Sequence, residues 1–305
     1  MRLFDLHCDT LCEGLHRNTS IHSNAGHVDL VRGARYDTWV QAYAAWIPDG
    51  LSVTEAQAEC DALMDVFHRW TGKSLHRVTV ADDLFATPAG MLTVENGGAL
   101  GTDWEYIHSL YRRGVCMVGL TWNGDNHWGS GCFGSDEGLT AAGRQALSVL
   151  EQFGTVVDVA HLNRPGFWQV VKEARRPFAV SHTAADALCP HPRNLTYDQF
   201  CAVRDRGGVV GLTLYPEHLG GSDFETIRRH LEHFLSLNGE RTICFGADFD
   251  GMTAPAEWNG IAVYERLYRY LSDCGWNPQT LDAVFYTNAR DFFLRYWEQT
   301  IRNEE

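Results

Sequence analysis

The chain has 305 residues, with 25 lysines and arginines against 39 aspartates and glutamates, so its formal charge at neutral pH is −14. This acidity argues against a nucleic-acid partner or an anionic membrane surface, because both need a basic face on the protein. Hydrophobic residues make up 45% of the sequence, which is enough to build a large core. The absence of low-complexity blocks and long linkers predicts one domain over residues 1–305.

Short apolar, β-branched runs alternate with amphipathic stretches along the whole chain. Eight runs are predicted strands: 3–9, 41–47, 91–95, 116–121, 155–160, 177–181, 208–214 and 243–248. The predicted helices are 53–70, 103–113, 140–153, 165–174, 196–206, 223–238, 258–274 and 278–298. Eight strands that alternate with helices over this length favour an α/β fold, specifically a (β/α)8 TIM-like barrel, over a doubly wound open sheet.

The amino-terminal residues contain no apolar run of the length found in secretion signals, and no stretch approaches the roughly 18 apolar residues needed to span a bilayer. We therefore expect a cytoplasmic protein that does not contact a membrane. The nine cysteines are expected to be reduced thiols in that compartment.

Residues able to bind a metal stand at the ends of several predicted strands. His7 and Asp9 lie two positions apart on the first strand, so their side chains project to the same side. Glu95 ends the third strand, where a buried carboxylate needs a partner because an isolated buried charge is costly. Taken alone, Glu95 could equally form a salt bridge or cap a helix.

The same pattern recurs further along the chain. His161 and His182 directly follow the fifth and sixth predicted strands, and Asp248 ends the eighth. A single histidine in such a place is more often a satisfied core residue than a ligand. Asp250, two positions beyond Asp248, could cap the following segment, so Asp248 is the better functional candidate.

These strand ends are more informative together than singly. In a barrel, the carboxyl ends of all strands converge on one mouth, where barrel enzymes carry out their chemistry. Three histidines and two carboxylates there predict a binuclear metal site at the carboxyl-terminal face, which could hold a hydroxide and polarise a carbonyl. Nitrogen and oxygen ligands suit two zinc ions per chain, although manganese, iron or cobalt are also possible.

At these positions the sequence resembles the membrane dipeptidase (renal dipeptidase-like) family, metallopeptidases of the amidohydrolase barrel superfamily. The resemblance extends over nearly the whole chain, in the family's order. The matching segments are 5–10, 94–97, 120–123, 157–162, 180–183, 191–196 and 245–251.

The resemblance implies a role for each matched residue. His7 and Asp9 would bind one zinc, His161 and His182 the other, and Glu95 would bridge both. Asp248 would be the catalytic acid and base, Arg193 would bind the carboxylate of the substrate, and Tyr215 could contact the substrate. From the sequence alone, Arg193 could also be an ordinary surface arginine, and Tyr215 an aromatic residue packed at the barrel rim.

One position departs from the mammalian members of the family. Where they carry a substrate-contacting histidine, this chain has Trp122, as the bacterial members do. His127 is five residues away and is not expected to take over that role. The change affects the contact that polarises the carbonyl of the substrate, and it affects the range of substrates. The metal ligands are unaffected. The absence of a secretion signal and anchor sequence favours a bacterial cytoplasmic protein.

The expected activity is therefore hydrolysis of small dipeptides, with tolerance for a D-residue at the carboxyl-terminal position. One alternative is another amidohydrolase reaction, such as that of a deacetylase, lactonase or deaminase, on a small carboxylated substrate. The other is a binding barrel without catalysis, which is less favoured because every expected ligand residue is present. A homodimer is possible, since the family tends towards dimers.

Overall fold

The computed structural model describes residues 1–72 and 74–301, in which nine parallel strands form one sheet. The strands are β1 (Arg2–Asp5), β2 (Thr38–Trp46), β3 (His76–Val78), β4 (Ala89–Glu95), β5 (Val115–Gly119), β6 (Val156–Asp158), β7 (Ala179–Thr183), β8 (Val209–Leu212) and β9 (Ile243–Phe245). Their order is β2-β1-β9-β8-β7-β6-β5-β4-β3, and β2 also pairs with β4. This additional pairing closes eight strands into a TIM barrel and leaves β3 as an extra strand beside the start of β4.

Helices flank the barrel on its outside, as a parallel sheet requires. The helices are α1 (Thr10–His16), α2 (Leu30–Gly33), α3 (Val53–Thr71), α4 (Trp104–Arg112), α5 (Ala141–Gln152), α6 (Arg164–Glu173), α7 (Tyr197–Asp205), α8 (Pro216–Leu219), α9 (Phe224–Ser236), α10 (Val263–Asp273), α11 (Pro278–Asp282) and α12 (Asn288–Ile301). Among the described residues, no helix combines the length and the apolar character needed to cross a membrane.

The predicted barrel and all eight predicted strands are confirmed, although most strands end earlier than predicted. The predicted helix 258–274 begins only at Val263, because Asn259 and Gly260 adopt left-handed backbone conformations with φ of 57° and 59°. The predicted helix 278–298 is interrupted by a π-helical turn, Ala283–Thr287. The prediction lacks strand β3 and the short helices α1, α2 and α8. Strand β3 is a short strand and each of these helices has at most two turns, so none of them shows a clear apolar period.

The two ends of the barrel differ. At the amino-terminal end, aromatic side chains of α12 close the barrel, and the ring of Phe293 stacks on Phe4 of β1 at a centroid distance of 5.8 Å. At the carboxyl-terminal end, the buried carboxylate of Asp5 joins the first and last strands. It accepts hydrogen bonds from the backbone N–H groups of His7 at 3.1 Å and Ala247 at 3.0 Å, and from the hydroxyl of Tyr264 at 2.7 Å. Asp5 therefore fixes where the chain leaves β1 and β9.

Two strand glycines provide a matched test of this packing. A Cβ at Gly211 in β8 would lie 2.0 Å from the carbonyl oxygen of Ser181, whereas one at Gly119 in β5 would have no neighbour nearer than 3.5 Å. Gly211→Ala should destabilise the protein by about 1–3 kcal/mol or more, because backbone must move, while Gly119→Ala should cost less. Urea denaturation of both variants measures the difference, and equal free energies of unfolding would contradict the predicted packing.

Candidate active site

The five predicted metal ligands lie together at the carboxyl-terminal mouth of the barrel. Glu95 lies at their centre, with its two carboxylate oxygens facing different histidines. Its Oε1 is 2.7 Å from Nε2 of His161 and 3.9 Å from Nε2 of His182, and its Oε2 is 3.4 Å from Nε2 of His7. Asp9 lies beside His7, with its Oδ2 3.5 Å from the same Nε2 atom. All five residues are at most 8% exposed.

Carboxylates crowd around His7. Its Nε2 is also 3.6 Å from Oδ1 of Asp248, yet this buried nitrogen makes no hydrogen bond, and neither does Oδ1 of Asp9. Burial alone would lower the pKa of His7, but the charges of Glu95 and Asp9 raise that pKa to about 10. Burial raises the pKa of Glu95 well above its usual range and, against the opposing effect of His7, that of Asp248 to about 7. So much buried negative charge calls for a compensating cation.

The tautomer of His182 follows from its neighbours. The hydroxyl of Ser181 donates its proton to Oδ2 of Asp158 at 2.5 Å, so its oxygen must accept the hydrogen bond from Nδ1–H of His182 at 2.9 Å. Burial holds the pKa of His182 well below its ordinary value, and the ring is therefore neutral. With its proton on Nδ1, His182 has a lone pair on Nε2, which is the form that binds a metal.

His161 also carries its proton on Nδ1, but a different neighbour imposes this tautomer. Its Nδ1 lies 3.1 Å from Oδ1 of Asn123, an amide oxygen that can only accept, so Nδ1 carries the proton. Burial also holds the pKa of His161 well below its ordinary value. The Nε2 atoms of His161 and His182 are 3.0 Å apart, and on this assignment both carry lone pairs. Two lone pairs at this distance repel each other, so these two nitrogens are suited to bind a cation between them.

The turn after β9 brings Asp248 to this cluster. Asp248 adopts a left-handed backbone conformation with φ of 70°, and a Cβ at Gly251 would lie 2.1 Å from Oδ2 of Asp9 and 2.7 Å from Oδ1 of Asp248. Only glycine leaves room for both carboxylates at that position. Asp250 does not cap a following segment. Instead it accepts hydrogen bonds from the hydroxyl of Thr10 at 2.6 Å and from a backbone N–H in the loop after α1 at 2.7 Å.

Arg193 is only 4% exposed, so the alternative of an ordinary surface arginine is wrong. Its guanidinium donates to the carbonyl oxygen of Ala160 and to Nε2 of His161, the latter at 2.9 Å, and therefore touches the ligand cluster. Burial lowers its pKa from the usual value, against the opposing effect of nearby acidic groups. The arrangement places a positive charge at the edge of a site that is otherwise rich in carboxylates.

A cavity of about 520 Å³ lies against this cluster and is lined by Asp9, Glu95, His161, Arg193 and Asp248. Trp122 and Tyr215 also line it. The ring of Trp122 lies edge-on to that of Trp46 at a centroid distance of 5.0 Å and lies 6.3 Å from the ring of His161. His127 is not among the lining residues and contacts the carbonyl oxygen of Gly98 through Nδ1 at 3.1 Å. His127 is therefore not positioned to replace the substrate-contacting histidine of the mammalian members.

Several residues at the site were not assigned a role from the sequence. They are Asn123, Asp158 and Ser181, which orient the histidines, and His191 and His218, which line the cavity. A weak signal existed for Asp158, a carboxylate inside a predicted buried strand. Ser181 lies within β7, and Asn123, His191 and His218 follow strands, but spacing alone does not predict which neighbours their side chains meet.

Comparison with known proteins agrees with this arrangement. A sequence model of the membrane dipeptidase family, peptidase family M19, matches residues 1–305. An uncharacterised protein from the pqqA 5′ region of Klebsiella pneumoniae is 34% identical over 68% of this chain and 81% of its own length. Dipeptidase 3 of Rattus norvegicus is 26% identical over 83% of this chain, and the match spans 55% of the rat protein.

Solved structures share the fold. A crystal structure described as dipeptidase AC, a metallopeptidase of family M19, superimposes with a TM-score of 0.89 at 24% identity, covering 97% of this chain and 99% of that one. A metallopeptidase from Rhodobacter sphaeroides, bound to a phosphinate mimic of the dipeptide L-Ala-D-Ala, gives a TM-score of 0.88 at 22% identity, with 97% and 99% covered.

The closed parallel barrel with polar residues gathered at its mouth defines the class, a barrel hydrolase of the metal-dependent type. The family match over the full chain gives the next step. The chain belongs to the membrane dipeptidase family, peptidase family M19, and is a hydrolase of the metallo-dipeptidase kind.

The hydrogen-bonded link from Asp158 through Ser181 to His182 can be tested by removing the hydroxyl of Ser181. Ser181→Ala should weaken metal binding by about 10- to 100-fold, because His182 loses the acceptor that keeps its proton on Nδ1. The metal affinity is measured by adding metal back to the stripped protein in competition with a chelator. Ser236→Ala is the control, since Ser236 is exposed and its hydroxyl donates to the backbone of its own helix. Unchanged affinity in Ser181→Ala would contradict this role.

Proposed function

We propose that the chain is a zinc-dependent dipeptidase that hydrolyses the peptide bond of dipeptides and accepts a D-residue at the carboxyl-terminal position. The observation that carries this proposal is the grouping of His7, His161 and His182 around Glu95 at one wall of a cavity that also contains Arg193. Support for the D-residue comes from the Rhodobacter sphaeroides relative, whose ligand mimics L-Ala-D-Ala.

Two zinc ions per chain would be held by the five clustered residues. His7 and Asp9 would bind one ion and His161 and His182 the other, with Glu95 between them, since its two oxygens face the two groups. When bound, the ions would supply an activated water and polarise the carbonyl of the scissile bond. The Nδ1-protonated states of His161 and His182 support this assignment, because each leaves a lone pair on Nε2.

Asp248 would move the proton. Its carboxylate lines the cavity, where it can accept a proton from the attacking water and return it to the leaving nitrogen. Its Oδ1 lies within 3.6 Å of His7, so the group is next to the proposed ligands. The left-handed backbone at Asp248 aims the carboxylate into the cavity from the end of β9.

Arg193 would hold the substrate in register. A guanidinium binds a carboxylate with two parallel hydrogen bonds, and the free carboxylate of a dipeptide lies one residue beyond the scissile bond. The volume of about 520 Å³ suits a small substrate, and Trp122 and Tyr215 would contact it from the cavity wall. Longer peptides would place an uncharged amide where Arg193 requires a carboxylate.

A substrate panel tests the function. Protein stripped of metal and then reloaded with zinc should hydrolyse dipeptides, with either an L- or a D-residue at the carboxyl terminus, and the stripped protein should be inactive. Dipeptide amides should react poorly, because they lack the charge that Arg193 binds. Rapid hydrolysis of N-acyl amino acids without dipeptide hydrolysis would instead indicate another amidohydrolase reaction.

Asp248→Asn tests the proton carrier. Asparagine tolerates a left-handed backbone, so the fold and a zinc content of about two ions per chain should be kept, while kcat falls by about 100- to 10,000-fold. Asp136→Asn is the control, since Asp136 is exposed and lies outside the cavity lining. Metal analysis and steady-state kinetics measure both quantities. Turnover near that of the unmodified protein would remove Asp248 from its proposed role.

A further inference from the structure

One part of the cavity wall contains two histidines, His191 and His218, that have no role in the proposed reaction. The ring of His218 lies 4.6 Å from that of His191 and 4.7 Å from that of Tyr215, and all three line the cavity with Arg193. His218 and Tyr215 come from the chain after β8, and His191 and Arg193 from the chain after β7. We call these four residues the nitrogen-rich wall.

His218 is a buried polar side chain without a protein partner. It is 6% exposed, and its Nδ1 is buried and has no hydrogen-bond partner among the described residues. Leaving a buried polar atom unpaired is costly, and such atoms in native proteins call for an explanation. The ring of His218 lines the substrate cavity, so the unpaired nitrogen belongs to a polar side chain that a bound substrate would contact.

His191 offers a donor on the same wall. The backbone N–H of Arg193 donates to Nδ1 of His191 at 3.2 Å, so Nδ1 must be the acceptor. In a neutral ring the proton is then on Nε2, which becomes a donor. Arg193 contributes a permanent positive charge beside both histidines, and the wall therefore attracts negatively charged groups.

The opposite side of the cavity carries the reverse charge. Asp9 follows β1, and Asp248 and Asp250 follow β9, so carboxylates cluster where these strands end. A dipeptide zwitterion entering this field would place its amino group towards the aspartates and its carboxylate towards Arg193. The guanidinium of Arg193 would bind the free carboxylate at the end of the dipeptide. His191 and His218 are then available to bind a second group, on the side chain of the carboxyl-terminal residue.

We propose that the nitrogen-rich wall selects dipeptides whose carboxyl-terminal residue carries an acidic side chain, with His218 and His191 as the specificity-determining residues. The inference rests on the proposed dipeptidase function and names its substrate class. Two carboxylates oppose it locally. Glu217, at the exposed rim, forms a hydrogen bond with Tyr215, and Asp186 accepts a hydrogen bond from the backbone N–H of His191 at 3.3 Å. Glu217→Gln should therefore lower the KM for acidic substrates.

The test compares isosteric substrates on the zinc-loaded protein. Ala-Asp, Ala-Asn and Ala-Leu are assayed with the second residue in both the L- and the D-form. We expect kcat/KM for Ala-Asp to exceed that for Ala-Asn by about tenfold or more, mainly through KM, because hydrogen bonds to a charged group are stronger than those to a neutral one. Equal values for the three substrates would overturn the inference but leave the dipeptidase function standing, whereas no hydrolysis of any of them would overturn both.

Variants assign the preference to the two histidines. His218→Phe and His191→Phe keep the ring packing and remove the nitrogens, so each should reduce the ratio of Ala-Asp to Ala-Leu hydrolysis by about tenfold while kcat for Ala-Leu changes little. His218→Gln restores a donor and should recover part of the ratio. His108→Phe is the control, since His108 stacks on Phe153 outside the cavity lining. An equal loss on both substrates would indicate a purely structural role and overturn the inference.

Discussion

The arrangement at the barrel mouth depends on two imidazole nitrogens that face each other with no proton between them. The Nε2 atoms of His161 and His182 lie 3.0 Å apart, and each ring carries its proton on the far nitrogen. This state is unfavourable unless a positive charge lies nearby, and Arg193 supplies one in the metal-free chain. The residues that impose the tautomers, Asn123 and Ser181, therefore matter as much to the proposed metal centre as the ligands themselves.

The parts of the site that sequence patterns predict are those attached to strands. Glu95 is the last residue of β4, so the convergence of parallel strand ends predicts its place at the mouth, whereas His7 lies two residues beyond the end of β1 and its position required the structure. The roles of Arg193 and Asp248 came from the resemblance to the family. Their burial and contacts required the structure, because each lies in a loop whose path depends on distant residues.

Other features were beyond sequence reasoning for a physical reason. Ser181 gains its role only because its hydroxyl meets Asp158 from the neighbouring strand, which depends on the register between β6 and β7. The unpaired nitrogen of His218 depends on the packing of two loops against each other. Asp5 lies within a predicted strand, and only the structure shows that it receives three hydrogen bonds, from His7, from Ala247 after β9 and from Tyr264 of α10.

The contact between the first and last strands has a consequence for biosynthesis. His7 leaves the ribosome long before Asp248 and the backbone N–H of Ala247, which donates to Asp5. A nascent chain that ends before β9 lacks the neighbour that positions β1. Assembly of the proposed metal site is thus a late event, and shorter translation products are not expected to bind a metal in this way.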